Sequence, residues 1–291
     1  MNYSIVENGD KIIVKTNDFD PIHIFECGQC FRWNREEDFS FIGVAFGKIL
    51  NVKKEDNCII FSNTNLDEFN DIWFKYFDLG RDYSKIKKKL SKDPILKEAV
   101  NFGSGIRILN QDPFETLISF IISANNGIPR IKKSIELICK RYGDCIGEYN
   151  GKKYYSFPTP EVLSKVSMDE LRECSVGFRD RYIYSAANMV ANGEIDIYNL
   201  KYLSINGARD TLMKFPGVGP KVSDCIMLFS MEKHGAFPID VWVKRVMEYF
   251  YLKEDTSLKK IQVYGQEKFK NLAGFAQQYL FYYARELGIG K

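Results

Sequence analysis

The segment Met213–Arg245, MKFPGVGPKVSDCIMLFSMEKHGAFPIDVWVKR, gathers the residues best suited to chemistry. Its hairpin, Phe215-Pro216-Gly217-Val218-Gly219-Pro220, sets two glycines two apart. Glycine tolerates positive φ and leaves neighbouring amide N–H groups unshielded. Such a turn feeding a helix N-terminus can donate backbone hydrogen bonds to a phosphate, which makes Gly217, Val218 and Gly219 candidate phosphate contacts. The GxG alone is weak, because many helix–helix turns contain one, and the spacing to Lys-Ser/Thr of a P-loop is absent. Lys221 opens the next helix, where the partial positive charge of the helix end favours a neutral amine. A neutral lysine is a nucleophile that forms Schiff bases. Most lysines are simply exposed, and position alone does not separate Lys221 from them. Asp240 lies 19 residues further on and directly precedes an apolar helical pattern. It reads first as an N-cap, and its carboxylate can also face the lysine and stabilise a developing cation.

Other polar residues share helical stripes. Cys225 is four residues after Lys221, on the same helix face, where a small core residue explains it equally well. Gln277 and Phe281 are also four apart; the Phe reads as core, and the Gln needs a partner once buried. Asn125-Asn126 reads as a loop or cap. Cys27-Gly28-Gln29-Cys30 is a CxxC with no second ligand pair and no helix N-terminus, so it reads as strand cysteines around a glycine, not a zinc or redox centre.

The elements that must position these residues fall into two sets. The first ~65 residues follow strand period and turn punctuation. Strands are predicted at Lys11–Lys15, Pro21–Phe25, Gln29–Trp33, Ser40–Ala45, Lys48–Lys53 and Cys58–Ser62, antiparallel because the links are short. Helical pattern begins at Leu66–Phe77 and Tyr83–Ser91, and residues 113–290 are almost wholly helical in pattern. Helices are predicted from Pro113, then at Pro129–Tyr142, Pro160–Lys165, Met168–Cys174, Arg179–Asn192, Asn206–Lys214, Lys221–Met231, Val241–Phe250, Ser257–Lys270 and Gly274–Leu287. The fold class is therefore α+β, an antiparallel sheet domain with flanking helices (1–100) before a helical domain (101–291).

Composition sets outer limits. The 291 residues are 45% hydrophobic and 27% charged, enough for a real core. No apolar run reaches the ~20 residues of a membrane span, and the N-terminus lacks a secretory pattern, so a cytoplasmic, non-membrane protein is expected. Seven scattered cysteines suit a reducing interior better than a disulfide framework, and two histidines argue against a His-rich zinc centre or a Ser-His-Asp triad. Residues 1–100 carry 15 Lys+Arg against 17 Asp+Glu, and the rest 26 against 21. The positive excess in the later part mildly favours a polyanion site there, though an ordinary solvated surface accounts for it as well.

Taken together, PGVGPK and Asp240 resemble the helix-hairpin-helix–Gly/Pro–Asp superfamily of DNA glycosylases, and the lysine at 221 resembles its bifunctional glycosylase/lyase branch. More closely, the chain is similar to the 8-oxoguanine DNA glycosylases. The matching segments are GQCFRW (28–33), IRILNQDP (106–113), FIISANNGIPR (120–130), GFRDRY (177–182), the hairpin and AGFAQQYLF (273–281), in order along nearly the whole chain. The four clustered cysteines of the superfamily's iron–sulfur members have no counterpart after Cys225.

The resemblance implies a role for each matched residue. Lys221 attacks C1′ of the damaged nucleotide, and Asp240 supports it and the sugar's positive charge. The Gly28 carbonyl accepts from the N7–H of the oxidised purine, Cys225 and Phe281 sandwich the flipped base, and Gln277 bonds its Watson–Crick edge. Asn125 fills the gap in the duplex, while Arg130 and Arg179 hold the opposite cytosine beside Phe178. Carbonyls of Met213, Phe215 and Val218 would hold a monovalent cation bridging to phosphate. No cofactor or catalytic metal is implied. The expected partner is double-stranded DNA containing 8-oxoguanine, bound by a monomer. Two positions depart from the eukaryotic pattern: Phe178 replaces a tyrosine, and Trp242 with Ala284 replaces a histidine–aspartate pair. The alternatives are an alkylpurine DNA glycosylase, against which Lys221 and Gly28 argue, and a non-catalytic helix-hairpin-helix DNA-binding protein.

Overall fold

The computed structural model describes residues 3–288; residues 1–2 and 289–291, the outer ends of the two expected domains, lie outside the described residues. Strands β1 (Ser4–Asn8), β2 (Lys11–Lys15), β3 (Trp33–Arg35), β4 (Phe41–Ala45), β5 (Lys48–Glu55) and β6 (Cys58–Ser62) form one sheet in the order β1-β2-β6-β5-β4-β3. Every pairing is antiparallel. In β2, Ile12 and Val14 are fully buried while Lys11 and Lys15 are exposed, the period-2 pattern that fixes register. Phe61 and Phe41 of the buried face meet the helix-borne Trp73 and Phe77, and Phe25 stacks on Trp33 at 4.1 Å.

Two expected strands are corrected. Pro21–Phe25 is a helical turn, because Asp20 caps it through the Ile22 amide at 3.0 Å and Pro21 occupies its first position. The Asp-Pro start outweighs the alternating apolar residues. Gln29–Trp33 is irregular, and the strand begins only at Trp33. Gly28 at φ +78° breaks the extended run there. The CxxC thus lies in a loop and not in a strand. Further elements were not anticipated: the edge strand β1, the helices Pro94–Phe102 and Ile197–Tyr202, and a hairpin of β7 (Cys145–Tyr149) and β8 (Lys152–Tyr155) inside the supposedly helical stretch. Its turn is Asn150-Gly151, both at positive φ (52° and 75°), a short hairpin signal in the sequence.

The remaining expected helices form, with ends shifted by at most about two residues. Their core also takes in the Tyr83–Leu90 and Pro94–Phe102 helices through Tyr83, Ile86, Leu96 and Ala99. The extended segment Ile106–Gln111 joins this core to the sheet. Arg107 is fully buried in it; its guanidinium donates to the Phe77 carbonyl (2.8 Å) and lies over the Tyr83 ring (4.1 Å). Backbone amides complete the joint: Asn110 donates to the Tyr76 carbonyl (2.9 Å) and Gln111 to the Phe229 carbonyl (2.9 Å). A buried backbone must find such partners, so this segment ties the Gly28 loop to the helices that carry Lys221 and Gln277.

Candidate active site

The Pro220–Ser230 helix begins without a side-chain cap: Gly219 is the N-cap and Pro220 stands at the first position. Its first amides therefore remain available to an anion. Gly217 sits at φ +82°, and a Cβ there would come within 2.7 Å of the Tyr182 ring, so glycine is required on both counts. A Cβ on Gly219 would meet only open space. The Phe215 carbonyl accepts from the Val218 amide at 3.1 Å, and the Met213 and Val218 carbonyls take no protein donor among the described residues. Three carbonyls with spare lone pairs on one tight turn fit the weak oxygen ligation of a monovalent cation.

Lys221 is half-buried, with its ammonium 5.2 Å from the centre of the Phe120 ring. Asp240 caps the Val241–Val246 helix, accepting from the Val243 amide at 2.8 Å. Burial pushes its carboxyl above the ordinary aspartate range, while the Val243 amide and the Lys221 cation pull the other way. Both residues line one cleft of about 740 Å³, together with Gly28, Asn125, Arg130, Trp242, Phe281 and Arg285. A narrower recess of about 40 Å³ leads inward past Lys221 and Asp240 to Cys225, Gln277, Gln278 and Phe281. It has room for a few waters and not for a purine. The Phe281 ring leans on Gly28, 3.2 Å from where a Cβ would be. A base enters only once that ring moves. Gln277 is 5% exposed and its Oε1 has no partner among the described residues, an acceptor free in the recess. Burial lifts the Cys225 thiol to about 11, so it is a neutral wall and not a nucleophile.

The opposite side of the cleft is built differently. Asn125 is exposed in the left-handed region (φ +50°), and Arg130 is exposed one turn into the Ile128–Tyr142 helix. Ser175 (φ 62°) and Gly177 (φ 61°) turn the chain sharply to present Phe178, which is 56% exposed. Arg179 is buried instead. Its Nε donates to the Ala124 carbonyl (3.0 Å), its other nitrogens to the Asn125 (3.1 Å) and Val176 (3.1 Å) carbonyls, and its guanidinium lies 4.5 Å from the Phe178 ring centre. In the free protein Arg179 thus braces the Asn125 loop, a role that no residue pattern announces. Sequence reasoning also passed over Phe120, Gln278 and Arg285. A second glutamine beside Gln277 in an apolar helix was the available signal for Gln278.

Residues 11–117 match the 8-oxoguanine DNA glycosylase N-terminal domain, and residues 118–271 the HhH-GPD superfamily of base excision DNA repair proteins. A probable N-glycosylase/DNA lyase of Methanothermobacter thermautotrophicus is 33% identical over 73% of this chain and 74% of its own. The N-glycosylase/DNA lyase OGG1 of Arabidopsis thaliana is 30% identical over 88% of this chain and 75% of its own. The Clostridium acetobutylicum 8-oxoguanine glycosylase/lyase, solved with double-stranded DNA containing cytosine opposite 8-oxoG, superposes with a TM-score of 0.97 at 51% identity, covering 99% of this chain and 100% of that one. The chain belongs to the HhH-GPD superfamily, within its family of 8-oxoguanine DNA glycosylase/lyases.

Proposed function

We propose that this protein excises 8-oxoguanine from duplex DNA, preferably opposite cytosine, and then cuts the strand. The observation that carries the reading is the meeting of Lys221, Asp240, Gly28 and Phe281 in one cleft that continues to Cys225 and Gln277. The glycosidic bond is inaccessible in a stacked duplex, so the base must be flipped into the recess. There the Lys221 amine attacks C1′, the glycosidic bond breaks, and the base leaves with the bonding electrons and gains a proton. Asp240, half-buried at the cleft, in its ionised form faces the positive charge that develops on the sugar. The resulting Schiff base to the ring-opened sugar allows β-elimination of the 3′ phosphate, and hydrolysis then frees the lysine. Gly28 selects the N7–H, Gln277 takes the Watson–Crick edge, and Cys225 and Phe281 hold the two faces. Asn125, Arg130, Phe178 and Arg179 deal with the opposite strand, and Gly217, Val218 and Gly219 with a phosphate. None of these steps calls for a metal or redox cofactor; a monovalent cation at the Met213, Phe215 and Val218 carbonyls would only draw a phosphate to the hairpin.

An alkylpurine glycosylase has no use for Lys221 or for an N7–H acceptor, and a non-catalytic hairpin protein has no use for the recess. On this reading residues 1–100 form the sheet domain and residues 101–291 the helical glycosylase domain, and a monomer suffices because one chain supplies the whole cleft. Among the described residues no helix is long and apolar enough to cross a membrane; the substrate places the protein with the chromosome, in the cytoplasm or nucleoid. Borohydride added to the protein with an 8-oxoguanine·cytosine duplex should trap a covalent complex. Lys221→Gln should bind the same DNA and trap none; an undiminished adduct in that variant would remove Lys221 from the mechanism.

A further inference from the structure

The loop 26–30 presents its backbone carbonyls in an unequal way. The Glu26 carbonyl accepts from Arg285, the Cys27 carbonyl from Gln278 Nε2 at 2.7 Å, and the Gln29 carbonyl from Gln111 Nε2 at 2.8 Å. The Gln29 side chain is itself fixed, donating to the Ile24 (2.9 Å) and Arg107 (2.8 Å) carbonyls and accepting from the Leu109 amide (2.9 Å). Of the four carbonyls from Glu26 to Gln29, that of Gly28 is the one that takes no protein donor among the described residues. Side-chain donors on both sides therefore set the planes of the peptides that flank it, and a peptide plane turned by one neighbour turns the next through the shared φ and ψ.

Gln278 is the donor nearest the reading position. It is 1% exposed, on the Ala273–Leu287 helix, immediately after Gln277, and it borders the recess. Its amide reaches across 251 residues to the peptide that joins Cys27 to Gly28. Because Gly28 sits at φ +78° with no Cβ, that peptide has more rotational freedom than at any other residue type, and an external donor has to restrict it. We propose that Gln278 is a positioning residue for lesion recognition: by holding the Cys27 carbonyl it keeps the free Gly28 carbonyl aimed into the recess, so that the enzyme tells 8-oxoguanine from a purine without an N7 hydrogen. The inference rests on the proposed reading of Gly28 and adds to it the residue that aims the reader.

The test compares three substrates, each opposite cytosine: 8-oxoguanine, 8-methoxyguanine (which keeps the 8-oxygen and presents a bare N7 acceptor) and a preformed abasic site. Wild type should excise 8-oxoguanine at least tenfold faster than 8-methoxyguanine; equal rates in the wild type would reject the Gly28 reading itself, before any variant is made. Gln278→Met and the nearly isosteric Gln278→Glu both remove the amide donor. In each, the ratio of the two excision rates should fall toward one, through loss on 8-oxoguanine, while cleavage at the abasic site stays within about twofold of wild type. A ratio that stays at the wild-type value would overturn the proposal, whether all three rates are kept or fall together. In the first case the Gly28 carbonyl is aimed without Gln278; in the second Gln278 merely supports the fold.

Discussion

The two walls of the cleft answer different demands. On the wall formed by the Gly28 loop and the helices bearing Lys221 and Gln277, buried polar groups are largely paired. The Gln29 side chain alone makes four hydrogen bonds, and Gln111, Gln278 and Arg285 take the neighbouring carbonyls. On the wall formed by Asn125, Arg130 and Phe178 the side chains stand in solvent, and the Asn125 loop is braced chiefly by Arg179. On the proposed reading the fixed wall recognises a base by the hydrogen at its N7, and that requires an acceptor held in place before the substrate arrives. On the same reading the open wall meets a duplex whose pairing is broken where the base is flipped. Rigidity is placed where chemistry is read, and freedom where shape is followed.

The largest effect should come from the fixed wall. Asp240→Asn keeps an oxygen for the Val243 amide, so the melting temperature should barely move. Excision should nevertheless fall on the order of 10²- to 10⁴-fold, since the amide offers no charge to the cationic sugar. A rate near wild type would reduce Asp240 to a cap. The pH profile sharpens this. Burial raises the Asp240 carboxyl above the ordinary value of ~3.9, and activity needs the ionised form. Activity should therefore disappear, as pH falls, at a higher pH than an exposed aspartate would give. The residual rate of Asp240→Asn should lack that acid limb.

Next in size is Gly28→Ala. The backbone there is left-handed, and the new methyl would meet Phe281 at 3.2 Å. Positive φ costs an L-residue ~1–2 kcal/mol, and the ring that closes the recess would also be displaced. Single-turnover excision of 8-oxoguanine should drop roughly ten- to a hundredfold, in keeping with a loss of ~1–3 kcal/mol from one misaligned buried acceptor. Cleavage of a preformed abasic site, which presents no base to read, should change little. If both activities fell equally, the loop would be serving the fold more than the reading.

Much of this was legible in the sequence, and the exceptions have causes. The lysine helix and its hairpin were readable because Pro, Gly and the apolar period all agree at Phe215–Ser230. Pro21–Phe25 was misread because five residues carry too little pattern to separate a strand from one capped helical turn. The Cys145–Tyr155 hairpin was missed although Asn150-Gly151 announces it, since long helical stretches on both sides outweighed a local signal. In the site, residue types were readable where a motif fixes them, as at Lys221 and Asp240. The brace made by Arg179 was not, because its partners are backbone carbonyls 54 and 55 residues away, which no side-chain pattern records. The same holds for Gln278, whose partner is the carbonyl of Cys27.

On the open wall, Arg179→Ala should act through stability first. It strips the buried carbonyl of Val176 and the part-buried carbonyls of Ala124 and Asn125 of a donor, a loss of ~1–3 kcal/mol for an unmet buried acceptor and less for the partly solvated ones. Thermal denaturation should show it directly, and DNA affinity should weaken with lesion and undamaged duplexes alike. An unchanged melting temperature would mean that the Asn125 loop holds its shape without the brace.

The smallest effect, and the finest test of the contrast between the walls, concerns the base opposite the lesion. Unpaired cytosine presents two adjacent acceptors, O2 and N3, which suit the fixed donors of a guanidinium. Adenine offers N1, but its exocyclic amine turns hydrogens toward the cation. One such mismatch is worth ~1–3 kcal/mol. With Arg179 occupied by backbone carbonyls in the free protein, Arg130 is the exposed guanidinium at the cleft, and it makes no hydrogen bond or ion pair among the described residues. Phe178 can wedge beside the opposite base but lacks a hydroxyl to anchor it, so the wedge adds shape and no direct polar selection. Wild type should therefore prefer cytosine clearly yet incompletely, by about five- to fiftyfold over adenine within that mismatch range. Arg130→Ala should shrink the preference several-fold, chiefly by slowing excision opposite cytosine, whose two acceptors lose their donor. Single-turnover rates with cytosine, adenine, guanine and thymine opposite the lesion measure this. Equal wild-type rates for all four would mean that Arg130 grips the backbone and that the open wall reads no base at all.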